Sequence, residues 1–272
     1  MDKISSIQQY KSIIAVTKQN EFKLSNCFFL AAEINRKITR GSLLFEYIKN
    51  GVLLFDDLTD FYRCYFFLPV ADNPEKIQLD KNAVIEFPFN GSMNEKQLLQ
   101  IEKVNAMGFS LGRESGMMCS SATAVVTSSA EPANGICCLA DVRDAEQILN
   151  LMNIVFDPLY SFLPSMQELC DDIKEGRVIV IRDGEKIAAA LISSFEKKIA
   201  MIKQVAVNPA YRGKQFGKVL LQAYHSKYCG EASLFQHWVD LNNYTAINMY
   251  RKFGYEFNLR KANEYILRVK EK

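Results

Sequence analysis

The residues best suited to chemistry lie in a loop between a strand-like segment and a helix-like segment. The segment that contains this loop, residues 204–218, reads QVAVNPAYRGKQFGK and runs from the strand through the loop into the helix. It holds two glycines and three basic residues, namely Gly213, Gly217, Arg212, Lys214 and Lys218. Glycines let the main chain approach a ligand, and the unpaired N–H groups and dipole of a helix start attract anions. The loop is therefore predicted to bind a diphosphate.

Two common nucleotide-binding patterns do not fit this loop. A P-loop of the form G-x-x-x-x-G-K-[ST] would require glycine at position 212 and Ser or Thr at position 219. The sequence has Arg212 and Val219 at these positions. The Rossmann pattern G-x-G-x-x-G is also missing.

A second motif follows in a helix-like segment that ends at Gly254. Asn243, Ala246 and Tyr250 are three and seven residues apart, so they line one face of a helix. A tyrosine hydroxyl on such a face can donate a proton. The alternative is a face that only packs in the core.

These motifs need a framework of strands and helices, and the sequence after residue 135 supplies one. Hydrophobic periodicity and turn residues predict strands and helices in alternation. The predicted strands are 136–140, 177–182, 186–195, 198–207, 233–239 and a final pair at 256–259 and 265–269, and the helices are 141–156, 165–174, 217–228 and 245–253. The prediction is an α/β (α+β) domain with a mixed sheet.

The stretch 120–135, SSATAVVTSSAEPANG, offers little to bury and reads as a linker. We therefore expect two domains, residues 1–128 and 129–272. The first half repeats the pattern of the second in shortened form. A helix end, a glycine and a strand hairpin recur at Gly51 and Gly176, and a helix followed by glycine recurs at Gly108 and Gly254. This predicts an internal duplication whose first copy has lost one loop and one helix, and chance similarity is the alternative.

The two motifs together resemble those of the GNAT superfamily of acyl-CoA-dependent N-acyltransferases, over residues 136–269. The resemblance implies a GNAT-like fold in the second domain and a degenerate GNAT-like fold in the first, as in tandem GNAT proteins. It also implies that acetyl-CoA is the co-substrate, with no metal. The implied cofactor-binding residues are Val205, Ala206 and Val207 on the central strand, Arg212, Gly213, Lys214, Gln215, Phe216, Gly217 and Lys218 in the loop, and Asn243 and Ala246 on the helix.

One residue departs from the family pattern. The loop of the family usually reads R-G-x-G-x-G, or ends in Ala, and the middle glycine is here Gln215. A side chain at this position can crowd the diphosphate or demand a different turn. We therefore expect weakened or shifted binding.

The resemblance implies direct attack of an amine on the acyl thioester, with Tyr250 protonating the departing thiolate. Family members often carry a glutamate on the central strand as the general base, but residues 201–205 contain none. His237 and Asp240 are the candidate substitutes, followed by Glu196. Their alternatives are structural, with His237 bonded within its strand and Asp240 serving as a turn or cap residue.

The composition of the chain excludes several classes of function. The chain has 272 residues and a formal net charge of +2, which argues against nucleic-acid binding. No apolar run is long enough to span a membrane, and the start does not resemble a signal peptide, so a cytoplasmic protein is expected. Seven cysteines without C-x-x-C spacing and two histidines indicate buried thiols and no metal site.

The expected function is therefore an N-acetyltransferase acting on a small-molecule or amino-acid-like amine, without a nucleic-acid or membrane partner. The family's folds often pair, so a homodimer is possible. Two alternatives stay open: an acyltransferase that uses a longer acyl donor, and a non-catalytic CoA-binding pseudo-acyltransferase.

Overall fold

A computed structural model describes residues 1–19, 23–49, 51–58, 60–121 and 137–269 of the chain. These residues form two compact units: Met1–Glu114 with Lys261–Lys272, and Ser115–Arg260. The C-terminal residues thus belong to the first unit, which differs from the predicted division at residues 128 and 129. That division, and residues 122–135 of the predicted linker, lie outside the described residues.

The described residues of the first unit form three helices and several strands. In chain order its elements are β1 (Asp2–Lys3), α1 (Ile7–Gln19), β2 (Leu24–Ser25), α2 (Ala31–Arg40), β3 (Leu43–Ile48), β4 (Gly51–Asp57), β5 (Phe61–Leu68), β6 (Asn82–Asn90), α3 (Glu95–Ala106) and the start of β7 (Ser110–Ser121). The strand order is β1-β3-β4-β5-β6, with β5 and β6 parallel and the other pairs antiparallel.

The second unit holds the rest of β7 and the remaining elements. They are β8 (Cys137–Leu139), a 3₁₀ turn (Val142–Asp144), α4 (Ala145–Val155), α5 (Met166–Lys174), β9 (Val178–Asp183), β10 (Lys186–Glu196), β11 (Ile199–Val207), α6 (Phe216–Tyr228), β12 (Leu234–Asp240), α7 (Tyr244–Arg251) and the start of β13 (Glu256–Leu267). The strand order is β7-β12-β11-β10-β9-β8. Among the described residues of this unit, β11 and β12 pair in parallel and the other neighbours pair antiparallel. Among the described residues, no helix has the length and apolarity needed to cross a bilayer.

Most predicted elements of the second unit are confirmed, including the hairpin of β9 and β10 and the helices α6 and α7. Two predictions are wrong. The final pair of strands is one strand, β13, because every residue from Ala262 to Leu267 is buried and its backbone groups need a continuous ladder. Ile48 ends strand β3, and not a helix, since the inward side chains of Leu43 and Phe45 alternate with period two.

The order of elements supports the duplication but not the predicted alignment, because Gly51 begins β4, which corresponds to β10, whereas Gly176 precedes β9. An antiparallel hairpin, a parallel strand and a helix follow one another as β4, β5, β6 and α3 in the first unit and as β10, β11, β12 and α7 in the second. Helix α6 joins β11 to β12, whereas residues 69–81 join β5 to β6 without a helix or strand. The first copy therefore lacks the helix that follows the glycine loop in the second.

Two hydrophobic clusters cover the sheet of the second unit, one on each face. On one face, Ile202, Phe235 and Val239 of the sheet pack with Leu220 of α6 and Tyr250 of α7. We call this the α6–α7 face. The other face is covered by α4 and α5, whose residues Ile148, Met152, Leu169 and Ile173 pack with sheet residues such as Ala206 of β11. We call this the α4–α5 face.

Candidate active site

The centre of the site is the place where strands β11 and β12 part. Their parallel register runs from Ile199–Leu234 to Ile202–His237. Within the described residues the pairing ends there, although β11 continues to Val207 and β12 to Asp240. The opposite edge of β11 stays paired with β10 as far as Val207. The main chain of residues 203–207 therefore offers one edge to a ligand inserted between the strands.

A bulge in β11 lies at the same place. The register with β10 moves from Ile192–Gln204 to Ser193–Ile202, which leaves Lys203 as an extra residue. Lys203 and Gln204 both reach the α4–α5 face, where Lys203 meets Asp172 and Gln204 meets Phe162. Beyond the bulge, side chains alternate again.

The three β11 residues implied in cofactor binding follow that alternation. Val205 and Val207 pack against the α6–α7 face, and Ala206 is buried on the α4–α5 face. Their main chain, and not their side chains, lies along the parted edge. This arrangement suits ligand binding through backbone groups.

The glycine loop follows β11 and opens α6. Gln215 has φ 61° and ψ 18°, the left-handed conformation that glycine adopts more easily. The chain thus retains the turn of a glycine loop despite the side chain. The first backbone bond of α6 is donated by Val219 N to Gln215 O at 3.2 Å, so the N–H groups that precede Val219 face out of the helix end.

The loop also has room for an anion. A Cβ built on Gly213, which has φ 83°, would meet nothing within 4 Å. Arg212, Lys214 and Lys218 are exposed and add positive charge around the helix start. The residues present thus fit a diphosphate held by main-chain amides.

Two contacts hold the loop in place. The ring of Phe216 stacks on that of Tyr211 with centroids 6.1 Å apart, and Lys214 Nζ lies 5.0 Å from the Tyr211 ring centroid. Gly217 faces Met249 of α7, whose Sδ would be 3.2 Å from an added Cβ. Gly217 therefore serves close packing, whereas Gly213 faces open space.

Tyr250 is buried on α7 beside the parted strands. Its ring lies 4.4 Å from that of His237 and 5.5 Å from that of Tyr255, centroid to centroid. Burial raises the pKa of the Tyr250 phenol. The hydroxyl therefore stays protonated at neutral pH and can act as a proton donor.

His237 is the last residue of β12 that pairs with β11. Its Nδ1 is 3.3 Å from Ile202 O, and because a carbonyl only accepts, Nδ1 carries the proton. Burial lowers the pKa of His237 to about 4. The ring is therefore neutral at neutral pH, with Nε2 unprotonated, and is a weak base there.

The structure does not bring the other candidate bases to His237. Asp240 lies on the opposite side of β12, and its Oδ1 accepts a bond from Asn242 N at 2.8 Å, as a turn residue does. Glu196 is exposed and pairs with Ile199, at the other end of β11.

Asn243 and Ala246 lie together at the start of α7. Asn243 is its N-cap, and its Oδ1 accepts a bond from Ala246 N at 3.1 Å. Asn243 is exposed, and Ala246 packs against the α6–α7 face. The helix cap thus lies two turns before Tyr250.

Sequence reasoning missed Gln204. Gln204 is buried, with a relative exposure of 6 %. Its Nε2 donates to Phe162 O at 2.7 Å, and among the described residues its Oε1 has no hydrogen-bond partner. Only the bulge turns this residue to the α4–α5 face, and no sequence pattern marks the bulge.

In the first unit, the equivalent strands also part. The register of β5 and β6 ends at Arg63–Val84, although both strands continue. The space beyond measures about 20 Å³ and is lined by Arg63, Cys64, Tyr65, Val84 and Glu86. That volume holds about one water molecule and no larger ligand. In the described parts of both units, no group of three or more potential metal ligands comes together.

The comparisons with known proteins agree with this geometry. Residues 174–257 match the family model described as an acetyltransferase (GNAT) domain. A search of curated proteins gives no match.

Solved structures of the same fold extend the likeness to most of the chain. A tandem GNAT protein from the clavulanic acid biosynthesis pathway has 10% identity and a TM-score of 0.50, covering 85% of each chain. A GCN5-related N-acetyltransferase from Sphaerobacter thermophilus has 10% identity and a TM-score of 0.54, covering 82% of this chain and 78% of its own. A GNAT-family acetyltransferase from Colwellia psychrerythraea has 12% identity and a TM-score of 0.51, covering 98% and 99%. Residues 174–257 therefore match the model of a GNAT acetyltransferase domain, and the fold of the chain is similar to that of a tandem GNAT protein.

Proposed function

We propose that this protein transfers an acetyl group from acetyl-CoA to the amine of a small-molecule or amino-acid-like acceptor. The observation that carries the proposal is the position of Tyr250. This buried, protonated phenol lies next to the point where β11 and β12 part, and the glycine loop begins at the end of the same β11.

Acetyl-CoA would be held by two parts of this chain. The parted edge of β11 at Val205–Val207 would bind the pantetheine arm through main-chain groups. The amides before Val219 and the open space at Gly213 would receive the diphosphate. Exposed Arg212, Lys214 and Lys218 would add electrostatic attraction.

The chemistry assigned to the chain has two parts. The main-chain amide of Val205 would polarise the thioester carbonyl and so stabilise negative charge on its oxygen. Tyr250 would give its proton to the leaving thiolate. His237 would position Tyr250 by ring contact, since its Nδ1 is bonded to Ile202 O and its ring is fixed.

The test is a calorimetric titration of the whole protein with acetyl-CoA and with coenzyme A, using NADP as a control that also carries a diphosphate. Thiol release is then followed with a panel of small amines. Micromolar binding confined to the CoA ligands, with amine-dependent thiol release, supports the proposal. Binding without release for any amine favours a non-catalytic CoA-binding protein, and absence of binding contradicts both.

A further inference from the structure

In the described part of the second unit, Gln204 Oε1 is one of three buried side-chain polar atoms that have no hydrogen-bond partner, with Tyr224 Oη and His225 Nδ1, and it is the one on strand β11. It is buried and has no hydrogen-bond partner among the described residues. A buried amide oxygen without a donor destabilises the fold, so such atoms are uncommon in native proteins. An atom of this kind beside a candidate active site points to a donor supplied by a ligand.

The orientation of this carboxamide is fixed by its other end. Gln204 Nε2 lies 2.7 Å from Phe162 O, and only a donor can bond to a carbonyl. The other end of the carboxamide is therefore the oxygen, Oε1. Gln204 is the second residue after Ile202, where the pairing of β11 with β12 ends, and the bulge at Lys203 turns the Gln204 side chain to the α4–α5 face.

On the α4–α5 face, the carboxylate of Asp172 binds two basic side chains. Lys203 Nζ lies 2.9 Å from Asp172 Oδ2, and Arg177 Nη1 lies 3.3 Å from Asp172 Oδ1. The hydrophobic cluster of this face contains residues of α4, α5, β9, β10 and β11. The carboxylates of Asp172 and Asp240 are held by the ion pair and by Asn242 N. Gln204 thus offers a neutral acceptor.

We propose that Gln204 Oε1 accepts a hydrogen bond from the N–H of the substrate amine. We further propose that this uncharged carboxamide selects substrates with α-amino groups over more basic alkyl amines. The inference rests on the proposed function and names the acceptor class for the same site.

The selection follows from the chemistry of a carboxamide. Gln204 can bond an N–H but cannot remove a proton from an ammonium group, so the reactive form is the amine already neutral in solution. An α-amino group has a pKa of about 7.7–8.0 and a lysine-type amine about 10.4. At pH 7 the neutral fraction of the α-amine is therefore larger by roughly two orders of magnitude.

The nitrogen lone pair forms the new N–C bond, and the C–S bond breaks with its electron pair on sulfur. Tyr250 gives its proton to that thiolate, and the acylated nitrogen releases a proton to water. The phenolate regains a proton from solvent, so no oxidant or further reactant is needed.

The experiment uses the full chain, acetyl-CoA and two probe amines, alaninamide for the α-amine and Nα-acetyl-lysine amide for the ε-amine. Gln204→Met removes the oxygen and keeps the length of the side chain, and Gln204→Glu supplies a carboxylate. Gln147→Met is the matched control, because the Gln147 side chain also bridges main-chain groups: its Nε2 donates to Glu185 O and its Oε1 accepts from Ile187 N.

We expect wild-type kcat/KM to be about a hundredfold higher for alaninamide at pH 7. Gln204→Met should raise the KM for alaninamide about tenfold and leave the Kd of acetyl-CoA within twofold. Gln204→Glu should reduce the preference for the α-amine, since a carboxylate binds and deprotonates the ammonium form better. Gln147→Met should change neither the KM for alaninamide nor the preference for the α-amine.

Three outcomes overturn the inference. One is a wild-type preference for the ε-amine, and another is a Gln204→Met variant that loses stability without raising the amine KM, as a structural glutamine would. The third is the absence of thiol release with both probe amines. This result would overturn the inference and would also count against acetyl transfer to amines. Failure of the cofactor site itself is seen separately, as loss of acetyl-CoA binding in the calorimetric titration.

Discussion

The imidazole of His237 lies against the phenol of Tyr250, with ring centroids 4.4 Å apart, at the point where two parallel strands separate. The same imidazole donates through Nδ1 to Ile202 O, so it joins the last residue of β11 that pairs with β12 to Tyr250 on α7. We expect a change in the spacing of these two strands to move Tyr250. The proposed cofactor cleft and the proposed proton donor would then be coupled.

Replacing Tyr250 with phenylalanine removes only the hydroxyl. We expect turnover to fall about 10²-fold or more, because the leaving thiolate loses its proton donor, while acetyl-CoA affinity changes little. The control is Tyr255→Phe, which removes a hydroxyl from the same ring cluster, bonded to His225 Nε2 at 2.9 Å. It should cost about 1 kcal/mol of stability and retain turnover. A weakened acetyl-CoA complex with intact turnover per bound enzyme would refute the role of Tyr250.

The two histidines make stability depend on pH. Burial lowers the pKa of His225 and of His237 to about 4, from an unfolded value of 6.5. Between these values the unfolded chain binds more protons, so the free energy of unfolding rises with pH. The contribution is complete above pH 6.5 and is lost as pH falls to about 4, by roughly 3 kcal/mol for each histidine.

Urea denaturation at several pH values between 4 and 7 measures this slope. The variant His237→Gln keeps a donor for Ile202 O but does not titrate in this range. It should lose about half of the histidine contribution. An unchanged slope would mean that His237 titrates normally in the folded protein.

Gln215 holds a left-handed backbone conformation with φ 61°. Gln215→Gly should therefore raise the free energy of unfolding by about 1 kcal/mol, since a residue with Cβ is strained there. Gly213→Ala is the comparison, because Gly213 has φ 83° and faces open space. It should cost about 1 kcal/mol and weaken acetyl-CoA binding, if the diphosphate contacts the main chain there. Denaturant titration and calorimetry check both variants, and equal acetyl-CoA affinity of wild type and Gly213→Ala argues against a diphosphate at Gly213.

Only the second unit is expected to bind acetyl-CoA. In the first unit the space between the parted strands is about 20 Å³ and Arg63 and Glu86 line it. Burial raises the pKa of Glu86 and lowers that of Arg63, which marks both groups as desolvated. Calorimetry should give one acetyl-CoA per chain. A stoichiometry of two would show that this space opens to a ligand.

Local patterns in the sequence predicted much of this architecture. The hairpin of β9 and β10, the helices α6 and α7 and the shortened first copy all follow from periodicity, turn residues and repeated motifs. The glycine loop and Tyr250 were recognisable because their residue types and spacing form a motif. These features depend on residues close together in the chain.

The tertiary structure decided which residues face one another. One extra residue, Lys203, turns Gln204 to the α4–α5 face, and a shift of one residue in a strand reverses the direction of every side chain after it. Strand alternation likewise separates Asp240 from His237, although they are only three residues apart. Which strands pair, and where they part, depends on contacts between distant segments. Sequence alone therefore identified the candidate residues, and the pairing of β11 with its neighbours decided how they are arranged.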